Sequence, residues 1–92
     1  MLIKLVEVQR SIRGGTASLN EIYVNSAHII SVSEDRSASE RLINETQNLG
    51  LVEGVRFSKV IISEGNQTRS LTIVGTPSEV HNKIRKKQVL RG

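Results

Sequence analysis

The chain has neither cysteine nor tryptophan among its 92 residues. The lack of cysteine excludes disulfides, thiolate zinc sites, iron–sulfur clusters and thiol nucleophiles. No apolar run approaches the roughly 20 residues that a membrane-spanning helix needs. The apolar part of the opening stretch MLIKLVEVQR is too short for a signal peptide, and Glu7 follows it early. We therefore expect a soluble, intracellular protein of the cytoplasm with no membrane contact.

Aromatic side chains are almost missing too, since Tyr23 and Phe57 are the only two. Ten valines and ten isoleucines supply most of the apolar content. β-Branched side chains suit a pleated sheet better than a helix. A chain this short buries only about 60 % of its unfolded surface, which leaves it marginally stable alone. The composition predicts one small α+β domain over residues 1–92, mostly β, that gains stability from self-association.

Three predicted strands lie in the first third of the chain. They are Leu2 to Val8, Leu19 to Val24 and His28 to Val32. Gly14-Gly15 marks the first turn, because glycine reaches positive φ without steric cost, and Asn25-Ser26 marks the second. Because both connections are short, residues 2 to 33 are predicted to form an antiparallel meander.

A polar excursion follows from residue 34 to residue 54. Ser37 with Glu40 three residues later has the form of a capping box, and Gly50 is placed where it could end a short helix. A mobile excursion between two strands is the alternative interpretation of the same segment.

The last third of the chain predicts a hairpin and then a helix. Val55 to Ser63 and Arg69 to Val74 are β-rich runs that flank a five-residue connection containing Gly65. Beyond them, Thr76 is a suitable helix cap and Pro77 fits the first helical position. The sheet is therefore predicted to have about five antiparallel strands and a capped C-terminal helix, whose apolar stripe is Val80, Ile84 and Val89.

Positive charge is concentrated in residues 83–92. The basic residues there are Lys83, Arg85, Lys86, Lys87 and Arg91, with no acidic residue among them. The rest of the chain carries eight basic residues against nine acidic ones. Cations at a helix C-terminus complement its dipole and keep it solvated, which is one interpretation. The other is a patch that contacts the phosphates of RNA, DNA or a nucleotide. The near absence of aromatics argues against base stacking.

A second candidate anion site is the Gly14-Gly15 turn with Arg10 and Arg13 beside it. Neither the glycine spacing nor a following Lys-Ser/Thr pair matches a phosphate-binding loop or a dinucleotide fingerprint. We interpret the glycine pair as a turn, with anion binding by Arg10 and Arg13 as the alternative.

No residue pattern in the chain indicates catalysis. His28 and His81 are far apart in sequence and lack the spacing of metal ligands. The adjacent acids Glu34 and Asp35 are interpreted as surface residues rather than an acid–base pair. None of the eleven serines lies in a nucleophile elbow. We predict no enzyme, no metal and no cofactor.

Several short blocks of residues follow one another along the chain in an order that can be compared with known families. They are Ile3-Lys4-Leu5, Ile22-Tyr23-Val24-Asn25, His28-Ile29, Val60-Ile61, Gly65, Val74, Thr76-Pro77 and Glu79-Val80. This order resembles the FlbD-like family of short proteins from flagellar operons, and similar short chains occur among phage accessory proteins. The resemblance implies a small β-meander followed by a terminal helix, and a non-enzymatic accessory role with no site residues. Extra residues at 10–18 and 34–54 and the basic end distinguish this chain from the family pattern.

The leading hypothesis is a non-catalytic accessory or regulatory binding protein. It acts as a homo-oligomer that engages a protein or a phosphate-bearing ligand. A five-stranded sheet from one short chain leaves edges and one face open, and self-association covers both. We expect the first strand and the Val55 to Val74 hairpin to contribute to it. One alternative is a nucleic-acid-binding regulator that uses the basic C-terminal helix. Another is a phage-type inhibitor or nucleotide sponge, which requires basic residues to converge at a subunit boundary. The residues considered for that role are Arg10, Arg13, Arg56 and Arg69.

Overall fold

The computed structural model of the chain describes residues 1–10, 17–42, 50 and 54–91. Five strands and two helices form in this part of the chain. They are β1 (Leu2–Arg10), β2 (Ala17–Asn25), β3 (Ile29–Glu34), α1 (Arg36–Arg41), β4 (Phe57–Glu64), β5 (Gln67–Val74) and α2 (Pro77–Arg91), with a 3-10 turn at Ser26–His28. All neighbouring strands are antiparallel. The predicted fold class, a mostly β sheet with a C-terminal helix and a short helix, is confirmed. The predicted Gly14-Gly15 turn lies outside the described residues.

The strand order is β2-β1-β5-β4-β3, so the predicted meander over residues 2 to 33 is wrong. β1 and β2 do form a hairpin, which pairs from Leu2–Asn25 to Arg10–Ala17 without a register shift. β3, however, pairs with β4 at the opposite edge of the sheet. The reason is the turn at Ser26–His28, where the Asn25 side chain accepts a hydrogen bond from the Ala27 amide at 3.0 Å and redirects the chain.

The two edge strands of the sheet are therefore joined by a three-residue turn. In a flat five-stranded sheet the edges would be about 19 Å apart, given the spacing of neighbouring strands. A three-residue 3-10 turn spans only about 6 Å. The sheet must therefore curl so that the end of β2 approaches the start of β3.

The concave face of the curled sheet holds the main core. Side chains that alternate along the strands meet there, and Val80 of α2 covers them with 1 % of its surface exposed. The buried members are Ile3, Leu5, Val24, Val60, Ile62, Leu71, Ile73 and Val80, and half-buried Ile84 packs against them. The predicted apolar stripe of the helix is thus placed on the sheet at Val80 and Ile84, whereas the Val89 side chain lies outside the described residues.

A second, smaller core lies on the other face, where α1 packs against β4. Phe57 is fully buried there with Ala38 and Leu42. Helix α1 is capped by Asp35, whose side chain accepts a hydrogen bond from the Ala38 amide at 2.9 Å. The predicted capping box that starts at Ser37 is therefore placed two residues too late. The helix also ends at Arg41, well before Gly50.

The β4–β5 hairpin is confirmed, with a shorter connection than predicted. Glu64 pairs with Gln67, so the turn consists of Gly65 and Asn66 alone. Gly65 has φ +63°, as the first central residue of a type II′ turn requires. The predicted start of the C-terminal helix at Pro77 is also confirmed, and the Thr76 hydroxyl accepts a hydrogen bond from the Glu79 amide at 3.2 Å.

The contact between β1 and β5 is much shorter than the other strand pairings. It consists of the single register pair Glu7–Ile73. β5 ends at Val74, and the chain then turns into α2. The Lys4 carbonyl of β1 accepts a hydrogen bond from the Lys83 ammonium at 3.3 Å. Helix α2 therefore contacts the part of β1 that lies beyond the end of β5.

Candidate functional site

The predicted basic patch lies on α2. Lys83 and Arg85 are both exposed, and Lys83 also donates the hydrogen bond to the Lys4 carbonyl. Lys86, Lys87 and Arg91 continue the same helix, but their side chains lie outside the described residues. The helix therefore collects the five basic residues on one element, and one of them already has a contact within the chain.

Of the other predicted basic residues, the two whose side chains are described, Arg56 and Arg69, do not meet at one place. Arg10 ends β1 with its side chain outside the described residues, and Arg13 lies outside them altogether. Arg56 precedes β4 and its guanidinium donates to Glu34 at 3.0 Å. Arg69 lies opposite Ile62 near the far end of β4 and pairs with Glu64 at 3.1 Å. Roughly 20 Å of strand separates Arg56 from Arg69, so these two do not converge within one chain.

The adjacent acids Glu34 and Asp35 have hydrogen-bond partners within the chain, and the two histidines are exposed. Glu34 accepts hydrogen bonds from Arg56 and Arg36, and Asp35 caps α1. His28 and His81 are exposed on different elements. Within the residues that the structure describes, no three metal-ligating side chains come together. No helix in the same part of the chain is long and apolar enough to cross a membrane.

Among the described residues, no strand pairs with the outer edge of β2. The Ser26 amide donates to the Met1 carbonyl at 2.8 Å, which makes this pair a hydrogen-bonded one in the β1–β2 ladder. Such pairs alternate along an antiparallel ladder. The backbone N–H and C=O groups of Leu19, Glu21 and Tyr23 therefore point away from β1, toward the open edge.

The two edges of the sheet differ in how they are protected. β3 is six residues long, has a register irregularity between Ile29 and Ser31, and ends on a charged residue. β2 is nine residues long, pairs with β1 without a shift, and carries a single charged side chain, Glu21. Short length, bulges and charges are the usual devices that keep an edge strand from pairing with another chain. β3 is short and irregular and β2 is neither, while each strand carries one acidic side chain.

Apolar side chains lie exposed beside the same edge. Tyr23 is 66 % exposed and Leu2 is 57 % exposed. They are diagonal neighbours on the convex face, because Lys4 pairs with Tyr23 and Leu2 with Asn25. Sequence reasoning placed both residues in strands but did not select them as site residues. Their alternation with the core positions was the signal that could have identified an exposed apolar pair.

An open cleft of about 450 Å³ adjoins the C-terminal end of β2. It separates the β2 residues Ile22 to Asn25 from the tip of the β4–β5 hairpin, and His28 and Arg69 also line it. The cleft exists because the curled sheet brings its edges close together only at the turn that joins them.

The surfaces expected to join subunits are not edges. β1 lies between β2 and β5, and the β4–β5 hairpin lies between β1 and β3. Their backbone groups are engaged on both sides wherever these ladders extend. The outer strands of the sheet are β2 and β3, and the expected contribution of β1 and the hairpin to self-association stays a prediction.

Comparison of the chain with protein-family models, with curated proteins and with solved structures found no match.

Proposed function

We propose that the chain is a non-catalytic accessory or regulatory binding protein of the cytoplasm, which acts as a homo-oligomer and engages a protein or a phosphate-bearing ligand. The observation that carries this proposal is the unprotected edge of β2 beside the exposed Tyr23 and Leu2. A free edge strand is a template for pairing with another chain. The resemblance to the FlbD-like family, which stays a prediction, implies the same accessory role.

The arrangement of charged groups supports binding rather than catalysis. Glu34 and Asp35 are held by an ion pair and a helix cap, so both serve the fold. General acid–base chemistry needs a titratable group that faces a substrate within hydrogen-bond reach. In the described residues the two candidate acids instead face partners within the chain.

We expect natively purified protein to have a solution mass of two or more times the 10.2 kDa of one chain. The physical reason is that a small sheet with a free edge and exposed apolar side chains gains stability by pairing. Light scattering at micromolar concentration measures this mass. The Tyr23→Ser variant serves as a comparison, because it removes exposed apolar surface without touching the core, and its oligomer should dissociate at a higher protein concentration. A wild-type monomer at micromolar concentration would contradict the proposal.

The same sample tests the phosphate-bearing ligand. The chain has no tryptophan and one tyrosine, so a bound nucleotide would dominate absorbance at 260 nm. Denaturing mass spectrometry identifies any small molecule that is released. A ligand that binds the folded state also raises the melting temperature by mass action. An unchanged melting temperature across a panel of cyclic and linear nucleotides, with no excess absorbance, would leave a protein as the partner.

A second candidate function, nucleic-acid binding, is favoured by α2. Lys83 and Arg85 are exposed on it, and after Glu79 the helix carries no acidic residue. We expect the Lys86→Glu/Lys87→Glu variant to lose binding to RNA or DNA. The slope of log affinity against log salt should also fall by about two, since each phosphate contact contributes about one.

The matched control for this prediction is Arg36→Glu/Lys59→Glu. It changes the net charge by the same amount at two exposed positions away from α2. Fluorescence anisotropy with labelled oligonucleotides at several salt concentrations measures both variants. Equal affinity of the parent and the α2 variant at every salt concentration would exclude the helix as a nucleic-acid interface.

A further inference from the structure

We propose that two copies of the chain pair through their β2 strands, antiparallel and centred on Ile22, so that the two sheets become one continuous sheet. This inference rests on the proposed self-association and specifies its surface. The partner is a second copy, the strand is β2, and the register is the one centred on Ile22.

The backbone of β2 is suited to a copy of itself. The outward N–H and C=O groups of Leu19, Glu21 and Tyr23 follow from the β1–β2 ladder, which continues to Ala17 without a shift. A two-fold axis perpendicular to the sheet places the same edge of a second copy opposite the first, with the two strands antiparallel. Each outward group then meets an outward group of the other copy, as an antiparallel ladder requires.

Charge limits which register the two strands can adopt. Centring the pair on Glu21 gives the longest ladder but sets two carboxylates directly opposite each other, and like charges in that position are destabilising. The Lys4 ammonium lies 3.9 Å from the Glu21 carboxylate of its own copy and offsets only part of this repulsion, because both groups are exposed. A shift of the centre by one residue removes the contact between the two carboxylates. Centring on Ile22 sets Glu21 of one copy against Tyr23 of the other, where the phenol hydroxyl is exposed and can donate to the carboxylate.

The core favours the same direction of shift. Ile22 is half-buried, packs against the main core and pairs with Leu5 of β1. In the Ile22-centred register the two Ile22 side chains oppose each other, so an apolar row runs from Leu5 of one copy to Leu5 of the other. The opposite shift would centre the pair on Asn20, which is exposed and polar. The apolar area removed from water is therefore larger with Ile22 at the centre.

A cleft lies between Ile22 to Asn25 of β2 and the hairpin tip at Ile62 to Glu64, so this end of β2 does not pack closely against the hairpin. The other edge strand, β3, is shorter and irregular, which disfavours it as a template. The structure thus directs a second copy to β2 rather than to β3.

The chain contains no cysteine, so a single introduced cysteine can form a disulfide only with the same residue of another copy. Such variants therefore test the register directly. In the Ile22-centred register the two Ile22 residues form a non-hydrogen-bonded pair with Cα atoms about 4.5 Å apart, within the range of a disulfide. We expect Ile22→Cys to form a covalent dimer under mild oxidation, seen by non-reducing electrophoresis and mass spectrometry. The Asn20→Cys control should stay unlinked, because its two copies would lie about 13 Å apart along the ladder.

Proline at position 21 tests the edge without disturbing the hairpin. The Glu21 N–H points away from β1, so Glu21→Pro removes a donor from the open edge only, which edge strands tolerate. Two donors are lost in the symmetric pair, and we expect the dimer dissociation constant to rise about tenfold or more. Glu21→Thr keeps the donor and should remain dimeric. Light scattering across a dilution series measures all three proteins.

The outcomes separate the failure of this inference from the failure of the proposed function. A wild-type monomer overturns both. An oligomer in which Ile22→Cys stays unlinked and Glu21→Pro stays associated overturns the β2 interface alone. Efficient cross-linking of Asn20→Cys in place of Ile22→Cys overturns the register, and a monomer with another protein bound along β2 overturns the second copy as its partner. If Glu21→Pro does not fold, the cysteine pair still decides.

Discussion

Replacing Phe57 by alanine is expected to lower the free energy of unfolding by about 3–5 kcal/mol, the usual cost of removing a fully buried aromatic ring. Phe57 has 0 % of its surface exposed and forms the centre of the smaller core with Ala38 and Leu42. Half-buried Val74 packs against the same cluster. The truncation would therefore leave a cavity between α1 and the sheet, in a domain whose total stability is only about 5–15 kcal/mol.

Urea unfolding followed by circular dichroism measures this change. Fluorescence is a poor probe, because the chain lacks tryptophan and Tyr23 is exposed in the folded state. Ile61→Ala is the matched control, since Ile61 lies on the same face of β4 but is only half-buried, and it should cost much less. A loss below about 1 kcal/mol for Phe57→Ala would show that α1 is not docked on β4 through this ring.

Replacing Gly75 by asparagine is expected to cost about 1–3 kcal/mol, because Gly75 has φ +120°, far from the left-handed region that asparagine tolerates. The residue cannot relax easily. Its amide donates to the Arg56 carbonyl at 2.8 Å, and its carbonyl accepts from the buried Ser58 hydroxyl at 2.7 Å. A side chain at this position would also come within 2.9 Å of the Glu79 carboxylate, but that group is at the end of a flexible chain and can move.

The same substitution at Gly65 is the matched control. Gly65 has φ +63° and open space around it, so asparagine there meets no neighbouring atom and is strained only by its backbone conformation. Gly75 adds a close contact and two backbone hydrogen bonds to its strain, so we expect thermal unfolding to show a larger drop in melting temperature for Gly75→Asn than for Gly65→Asn. Equal melting temperatures would mean that the junction between β5 and α2 adapts, and that Gly75 does not impose the entry angle of the helix.

Local signals in the sequence were sufficient for the hairpin and the last helix. Gly65 between two β-rich runs indicated the β4–β5 hairpin, and Thr76-Pro77 indicated the start of α2. Both depend on contacts between residues close in the chain. The position of β3 depends instead on its pairing with β4, which is remote in sequence. A short connection after β2 was compatible with a hairpin or with a corner, and only the packed sheet distinguishes them.

The cap of α1 shows a different limit. Asp35 and Ser37 are both good N-cap residues, and Glu40 made the later start more attractive. The structure selects Asp35 because the Ser39 hydroxyl, one turn further on, donates to the Asp35 carbonyl and accepts from the Phe57 amide. That choice depends on a contact with β4, which no local pattern contains.

For the candidate site, sequence reasoning identified the basic residues of α2 but not the edge of β2. A run of like charges on one helix is visible in the residue order. Whether a strand lies at an edge is a property of strand order, and β1, which was expected to contribute to self-association, lies inside the sheet. Tyr23 is exposed because it lies on the face of β2 opposite the main core, whereas its neighbour Val24 points into that core.

The single register pair between Glu7 and Ile73 has a consequence for how the chain reaches this structure. The β1–β2 and β4–β5 ladders each join strands that follow one another in the chain, so they close short loops. The β1–β5 contact joins Glu7 to Ile73, 66 residues apart in the chain, and has a larger entropic cost, with little ladder to offset it. We therefore expect the two hairpins to form early and the closing of the sheet between β1 and β5 to limit the folding rate.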